Sequence, residues 1–236
     1  MENYDFIVIL GSFQKNTFKI IRSICDFLEL GDKVHIPQLG NQLWEPAHVA
    51  ENLTIKSFDW DNFIEIFQNK SGLDEQKAIV MLSPKTNLAE QFQKLFAFHE
   101  RFSLNIPKII AIVDRCYFDG CHENLLDAMA YFSDILLIDN NPEIDRNRLK
   151  KFLEHCKQKE CYPLLIKVLS QCSVENIPEL LDDKSRRMTL IFDDLDPIDL
   201  IEGVHSTPFV IPTLAQWDKY LKKDDHGRFC SPVELL

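Results

Sequence analysis

Residues 108–141 read KIIAIVDRCYFDGCHENLLDAMAYFSDILLIDNN, and they decide the fold. Ile109 to Val113 is an apolar run rich in β-branched residues, which predicts a strand buried on both faces. Leu125, Leu126, Met129 and Ala130 recur at helical spacing, and Ile135 to Ile138 is a second continuous apolar strand. Two such strands flanking an amphipathic helix make a βαβ unit in a parallel sheet covered on both sides. Each strand ends in a carboxylate, Asp114 and Asp139. In open α/β sheets ligands bind beyond the carboxyl ends of the strands, so both aspartates should face any binding crevice.

Working outward toward the N-terminus, Asp5 to Gly11 (DFIVILG) predicts a buried strand and a turn. Asn16 or Thr17 should then cap a helix carrying Phe18, Ile21, Ile24, Cys25 and Leu28 on one stripe and closing at Gly31. Strand, Gly turn and helix is the layout of a phosphate-binding loop, in which helix N-terminal amides cradle an anion. The loop chemistry departs from GxxxxGK[ST]. Counting from Gly11, Asn16 stands at the second Gly, Thr17 at the Lys and Phe18 at the Ser/Thr. Lys15 and Thr17 lie nearby but out of register. Lys33 to Ile36 predicts a short strand, residues 37–57 an irregular excursion, and Phe58, Trp60, Phe63, Ile64 and Phe67 an aromatic helix stripe packing in the core. His48 and Glu51 read as a surface pair. Ala78 to Leu82 is the next strand. The helix after it, carrying Leu88, Phe92, Leu95, Phe96 and His99, should be capped by Thr86 or Asn87, with His99 a structural group at its end.

Toward the C-terminus, Asp145 to Cys156 reads as a basic amphipathic helix, Tyr162 to Leu169 as a strand, and Ser173 onward as a short helix with Ile177, Leu180 and Leu181. The expected fold class is therefore α/β, a three-layer doubly wound and mostly parallel sheet over residues 1–182. Residues 183–236 break the pattern: DDKSRRM is a charged linker, TLIFDDL reads as an edge strand, and Pro197, Pro208, Pro212 and Pro232 preclude long elements. Val210, Ile211, Leu214, Trp217 and Tyr220 predict one short helix, so this extension should pack on the domain or on a partner.

Composition narrows the function classes. The 236 residues carry a net charge of -11, which argues against nonspecific binding to a phosphate backbone. No apolar run approaches the roughly 20 residues of a membrane helix, the start lacks the basic region of a secretory signal, and seven scattered Cys fit reduced thiols; the expected location is the cytoplasm. Cys116, Cys121 and His122 share one loop with Asp119 between them, a candidate zinc set whose spacing matches no standard framework. Cys156 and Cys161 beside His155 repeat the spacing at a helix end, where incidental thiols are expected.

The order of elements over residues 4–182 resembles a CobW/UreG-type metallochaperone GTPase of the P-loop class. AIVMLSPKTNLAEQFQKLFAFHERFSLNIPKIIAIVDRCYF followed by AYFSDILLIDN carries the resemblance, with Ile112-Val113-Asp114 at the family's Val-Asp strand and Tyr131 to Asn141 at its guanine-reading strand. Lys150 to Ser173 resembles its final strand and guanine-contacting loop. The resemblance implies a GTP-binding fold with Gly11, Lys15, Thr17, Asp114, Asp139 and Asn140 as the nucleotide-facing set. Four departures qualify that. The P-loop Lys and Ser/Thr are missing; Met81 and Leu82 stand where an acidic residue should orient magnesium and water; Asp139-Asn140-Asn141-Pro142 replaces Asn-Lys-x-Asp; and residues 33–60 contain no Cys for the metal-binding CxCC. Together they imply a fold kept after its chemistry was discarded. The expectation is a non-catalytic protein with no required cofactor. Its partner would be another protein, an intact GTPase, a metalloenzyme or a second copy of itself, with neither nucleic acid nor membrane. Two rivals stand beside it: an atypical NTPase using Lys15, Thr17 and Asp114 with GTP and magnesium, and a metal carrier using Cys116, Cys121 and His122 with zinc.

Overall fold

The computed structural model describes residues 5–28, 33–37, 53–60, 77–83, 86–102, 105–118, 122–139, 144–158, 165–169, 189, 191–192 and 218–230. In chain order the elements are β1 (Asp5–Gly11), α1 (Lys15–Leu28), β2 (Lys33–Pro37), β3 (Thr54–Phe58), β4 (Lys77–Leu82), α2 (Leu88–Phe102), β5 (Asn105–Val113), a 3₁₀ turn (Arg115–Tyr117), α3 (Glu123–Phe132), β6 (Ile135–Asp139), α4 (Arg146–Gln158) and β7 (Leu165–Leu169). The seven strands form one sheet in the order β3-β2-β4-β1-β5-β6-β7. Every pairing is parallel. None of the described helices is long and apolar enough to cross a membrane.

The continuous apolar strands feed two cores, because successive side chains point to opposite faces. Ile7 and Ile9 of β1, Ile79 and Met81 of β4, and Ile110 and Ile112 of β5 meet Phe18, Ile20, Ile21, Ile24 and Cys25 of α1. Their neighbours Val8, Leu10, Val80, Leu82, Ile109, Ala111 and Val113 face the other way, onto α2, α3 and α4. The result is the three-layer α/β sandwich that the sequence implied. Placing β1 between β4 and β5 puts the direction change of the strand order at β1, where a crevice opens in such sheets.

Three local expectations are corrected. The excursion over 37–57 contains most of β3, and Phe58 ends that strand instead of starting a helix. Phe58 and Trp60 are two residues apart, a strand spacing; their rings meet edge to face at 5.1 Å, and both are buried. Residues 61–76 and the His48/Glu51 pair lie outside the described residues. At α1 the helix begins before Asn16 and Thr17, with the Gln14 carbonyl accepting from the Phe18 amide at 3.2 Å. Neither caps it, because both already lie inside the helix. By contrast Asn87 caps α2 as expected, its Oδ1 accepting from the Ala89 amide at 3.0 Å.

The third correction lies in the C-terminal extension. Ile191 and Phe192 form a turn, not an edge strand; the Phe192 ring is taken up by Phe92, Phe96 and His99 of α2. Tyr220 sits in a turn spanning 218–221 rather than in a longer helix among the described residues. Ile191, Phe192, Tyr220 and Leu221 are all buried in the core shared by α2, α3 and α4. The helix expected from Ser173 and the segment 193–217 lie outside the described residues.

Candidate functional site at the strand ends

The parallel register brings the carboxyl ends of three strands together. Gly11 of β1 pairs with Ile112 of β5, and Val113 of β5 pairs with Ile138 of β6, so Asp114 and Asp139 stand side by side one step further on. Both carboxylates are buried, at 4% and 3% exposure. Two buried like charges on neighbouring strands are costly unless hydrogen bonds hold them.

The donors come from the β1–α1 connection and the first turn of α1. Ser12 Oγ donates to Asp114 Oδ2 in a short hydrogen bond. Asn16 Nδ2, in the first turn of α1, donates to Asp139 Oδ2 at 2.8 Å. The other Asp114 oxygen accepts from the Cys116 amide at 2.9 Å and caps the 3₁₀ turn. The connection has only three residues, Ser12 to Gln14, between strand and helix. It is shorter than GxxxxGK needs when the Lys opens the helix, so the chain runs straight into α1 with its polar side chains turned to the strand ends.

Tyr117 closes the same space. Its ring is wholly buried, and its hydroxyl lies beside Ser12 and Asp114 without a well-formed hydrogen bond. Burial pushes the phenol well above its usual range, and the Asp114 and Cys116 charges push the same way, so Tyr117 stays protonated at any physiological pH. Thr17 is fully buried as well, its Oγ1 without a partner. Gly11 keeps this approach close: a Cβ there would sit 3.2 Å from Thr17 Cγ2, a tight contact, and 3.4 Å from the Ile112 carbonyl oxygen, an ordinary one.

Of the expected nucleotide-facing residues, the structure brings together Gly11, Thr17, Asp114 and Asp139. Lys15 is exposed on the first turn of α1. Asn140 lies outside the described residues, as does Cys121. Cys116 is half-buried and His122 stands at the N-terminus of α3, where its side chain makes no capping bond. Among the described residues no group of three or more His, Cys, Asp or Glu side chains gathers as for a metal ion. Asn16 had a legible signal, since it occupies the second-Gly position of the motif. Ser12 and Tyr117 had none beyond adjacency to Gly11 and Asp114.

Chemically, the centre presents two buried carboxylates that accept from the chain's own neutral donors, Ser12 and the Cys116 amide on Asp114 and Asn16 on Asp139. A phosphate cradle offers donors to an anion; here the anions are Asp114 and Asp139. No basic side chain bonds Asp114 among the described residues, so a phosphate brought near would meet negative charge first.

No family model matches the chain, and no curated protein matches it. Among solved structures it is similar to the Zn(II)-bound YjiA GTPase from E. coli, with a TM-score of 0.50 and 14% identity over 78% of this chain and 63% of that one. It is also matched to the signal recognition particle receptor FtsY from Elizabethkingia anophelis in complex with GDP, at a TM-score of 0.42 and 12% identity over 79% and 65%. The chain thus spans less than two thirds of the length of either neighbour. At this identity the YjiA likeness speaks to architecture alone, and in architecture the chain has a P-loop GTPase-like α/β fold.

Proposed function

We propose that this chain is a non-catalytic GTPase-fold protein that works through protein contacts. Its partner is an intact GTPase, a metalloenzyme undergoing maturation, or a second copy of itself. One observation carries the reading: Ser12 of the connection and Asn16 of the first turn of α1, where a phosphate would be wrapped, donate to Asp114 and Asp139 instead. A nucleotide seated there would displace Ser12 and Asn16, so each buried carboxylate would lose one donor, at a cost of about 1–3 kcal/mol each.

A second reading, an atypical NTPase, draws support from Thr17, whose buried hydroxyl lacks a partner that a nucleotide or its magnesium could provide. Titration with fluorescent GTP and ATP analogues in magnesium separates the two. The scaffold reading expects no saturable binding below millimolar nucleotide and no phosphate release. Micromolar binding with turnover that falls on Thr17→Ala would replace it. Zinc analysis of untagged protein and its Cys116→Ser variant addresses the metal-carrier reading in the same preparation: a stoichiometric metal lost in the variant would establish it.

A further inference from the structure

The flank of the molecule carries a polar network that the strand-end centre does not use. Asp127 of α3 accepts from Tyr220 Oη and, at 2.5 Å, from Lys219 Nζ, both in the C-terminal segment. Its other oxygen lies 2.8 Å from His155 Nε2 of α4. Asp218 of the same segment accepts from Tyr131 Oη of α3 at 2.9 Å and from Thr189 Oγ1 at 2.8 Å. Body and segment therefore exchange an aspartate for a tyrosine twice, Asp127 to Tyr220 and Tyr131 to Asp218. Asp127 and Tyr131 are one helical turn apart, so both bonds lie on one face of α3. The two tyrosine rings meet edge to face at 5.2 Å between them. This is a two-pronged clasp.

The clasp reaches the strand ends through α4. His155 binds the clasp, while Arg148, two turns earlier on the same helix, donates from Nη1 to the Phe118 carbonyl at 2.7 Å. Phe152 lies between them, its ring meeting Phe118 edge on at 6.2 Å. Phe118 ends the 3₁₀ turn that Asp114 caps, and Asp114 holds Ser12. At its far end α3 is fixed to the sheet, since the Ile109 amide donates to Asp134 at 2.7 Å and the Asp134 amide to the Ile109 carbonyl at 2.8 Å. With the C-terminal end of α3 fixed, the clasp holds its middle, and α4 ties that clasp, through Arg148, to the turn after Asp114.

We infer that the C-terminal segment is a regulatory strap: when its Asp–Tyr clasp is fastened on α3, the turn at residues 115–118 and the Ser12–Asp114 bond are held closed, and releasing it loosens them. The inference is independent of whether the centre ever binds nucleotide. A contiguous chain of contacts does not prove coupling, so the test must read the distant end.

Amide hydrogen exchange at Cys116, Tyr117 and Phe118 supplies that readout. In Tyr220→Phe, which deletes one hydroxyl and keeps the ring, exchange there should rise about ten-fold, within the range such couplings reach, while Ile7 to Leu10 keep their protection. Lys219→Ala trims a half-exposed donor without threatening the fold and should give a smaller rise at the same amides. Lys223→Ala, which cuts a contact to Gln93 of α2 but leaves the clasp intact, should change nothing at 116–118. A rise confined to 218–230 and α3 in both clasp variants would overturn the inference. So would a rise spread evenly over the sheet.

Discussion

Asp114 and Asp127 invite comparison because each gathers donors from separate elements, yet their surroundings differ. Asp114 is buried and takes only neutral donors, the Ser12 hydroxyl and the Cys116 amide. Asp127 keeps 13% of its side chain exposed and takes a lysine, an imidazole and a phenol. A carboxylate that is itself part-exposed, with a half-exposed lysine among its partners, can lose a donor and be rescued by water. A buried one held by neutral donors cannot. The strand-end centre is therefore the stiffer device, and the flank the adjustable one.

The largest effect is expected where the flank meets the core. Phe132 stacks on Phe92 with ring centroids 4.0 Å apart and touches Tyr220, so Phe132→Ala should cost about 3–5 kcal/mol in urea denaturation. A cost under ~1 kcal/mol would mean that the extension is not part of this core. Next, the two aspartates should separate. Asp114→Ala strands the Ser12 and Cys116 donors in a buried site and should cost about 2–3 kcal/mol, against about 1–2 kcal/mol for Asp127→Ala, two of whose three partners, Lys219 and His155, are half-exposed. Equal costs would erase the contrast.

A smaller, chemical difference concerns thiols. Cys156 is pushed up to about 12 by burial and then by the Asp127 charge, so it should stay unalkylated at pH 8, while the exposed Cys230 reacts readily. Peptide mapping after iodoacetamide checks the order, and early labelling of Cys156 would show the clasp open in solution. The smallest effect lies in the exposed turn beyond the clasp. The Arg228 amide first, with its guanidinium and the His226 amide, bonds Asp224 and holds its carboxyl below the usual range against the opposing effect of desolvation. A depressed folded pKa means that the contribution is complete above the unfolded value and disappears as pH falls through the folded one. The amide shifts of His226 and Arg228 should therefore titrate together below the ordinary Asp range, leaving Tyr131 and Tyr220 unmoved.

How far the sequence could be read follows the same division. The apolar runs of β1, β4, β5 and β6 carry enough one-dimensional pattern to give strand positions, layer number and the two strand-end aspartates. The Asn87 cap and the α3 stripe were equally legible, being local. β3 was missed because Thr54 to Phe58 is a short edge strand with one apolar contact face, and Phe58 and Trp60 mimicked part of a helical stripe. Ser12 and Tyr117 could not be read from the sequence, since Ser12 meets Asp114 across 102 residues of chain. The clasp was hidden for the same reason, its Asp–Tyr pairs being 87 and 93 residues apart. Pattern reveals which faces are buried; it does not reveal which distant donor a buried carboxylate will find.

The central claim is that the phosphate cradle is already satisfied from within. Urea denaturation with and without 1 mM GTP and magnesium tests it most directly, because a ligand that binds only the folded chain at about a hundred times its Kd adds ~2.7 kcal/mol. The account predicts superimposable curves for this chain. A midpoint that rises with nucleotide concentration, and no longer does so in Thr17→Ala, would contradict it.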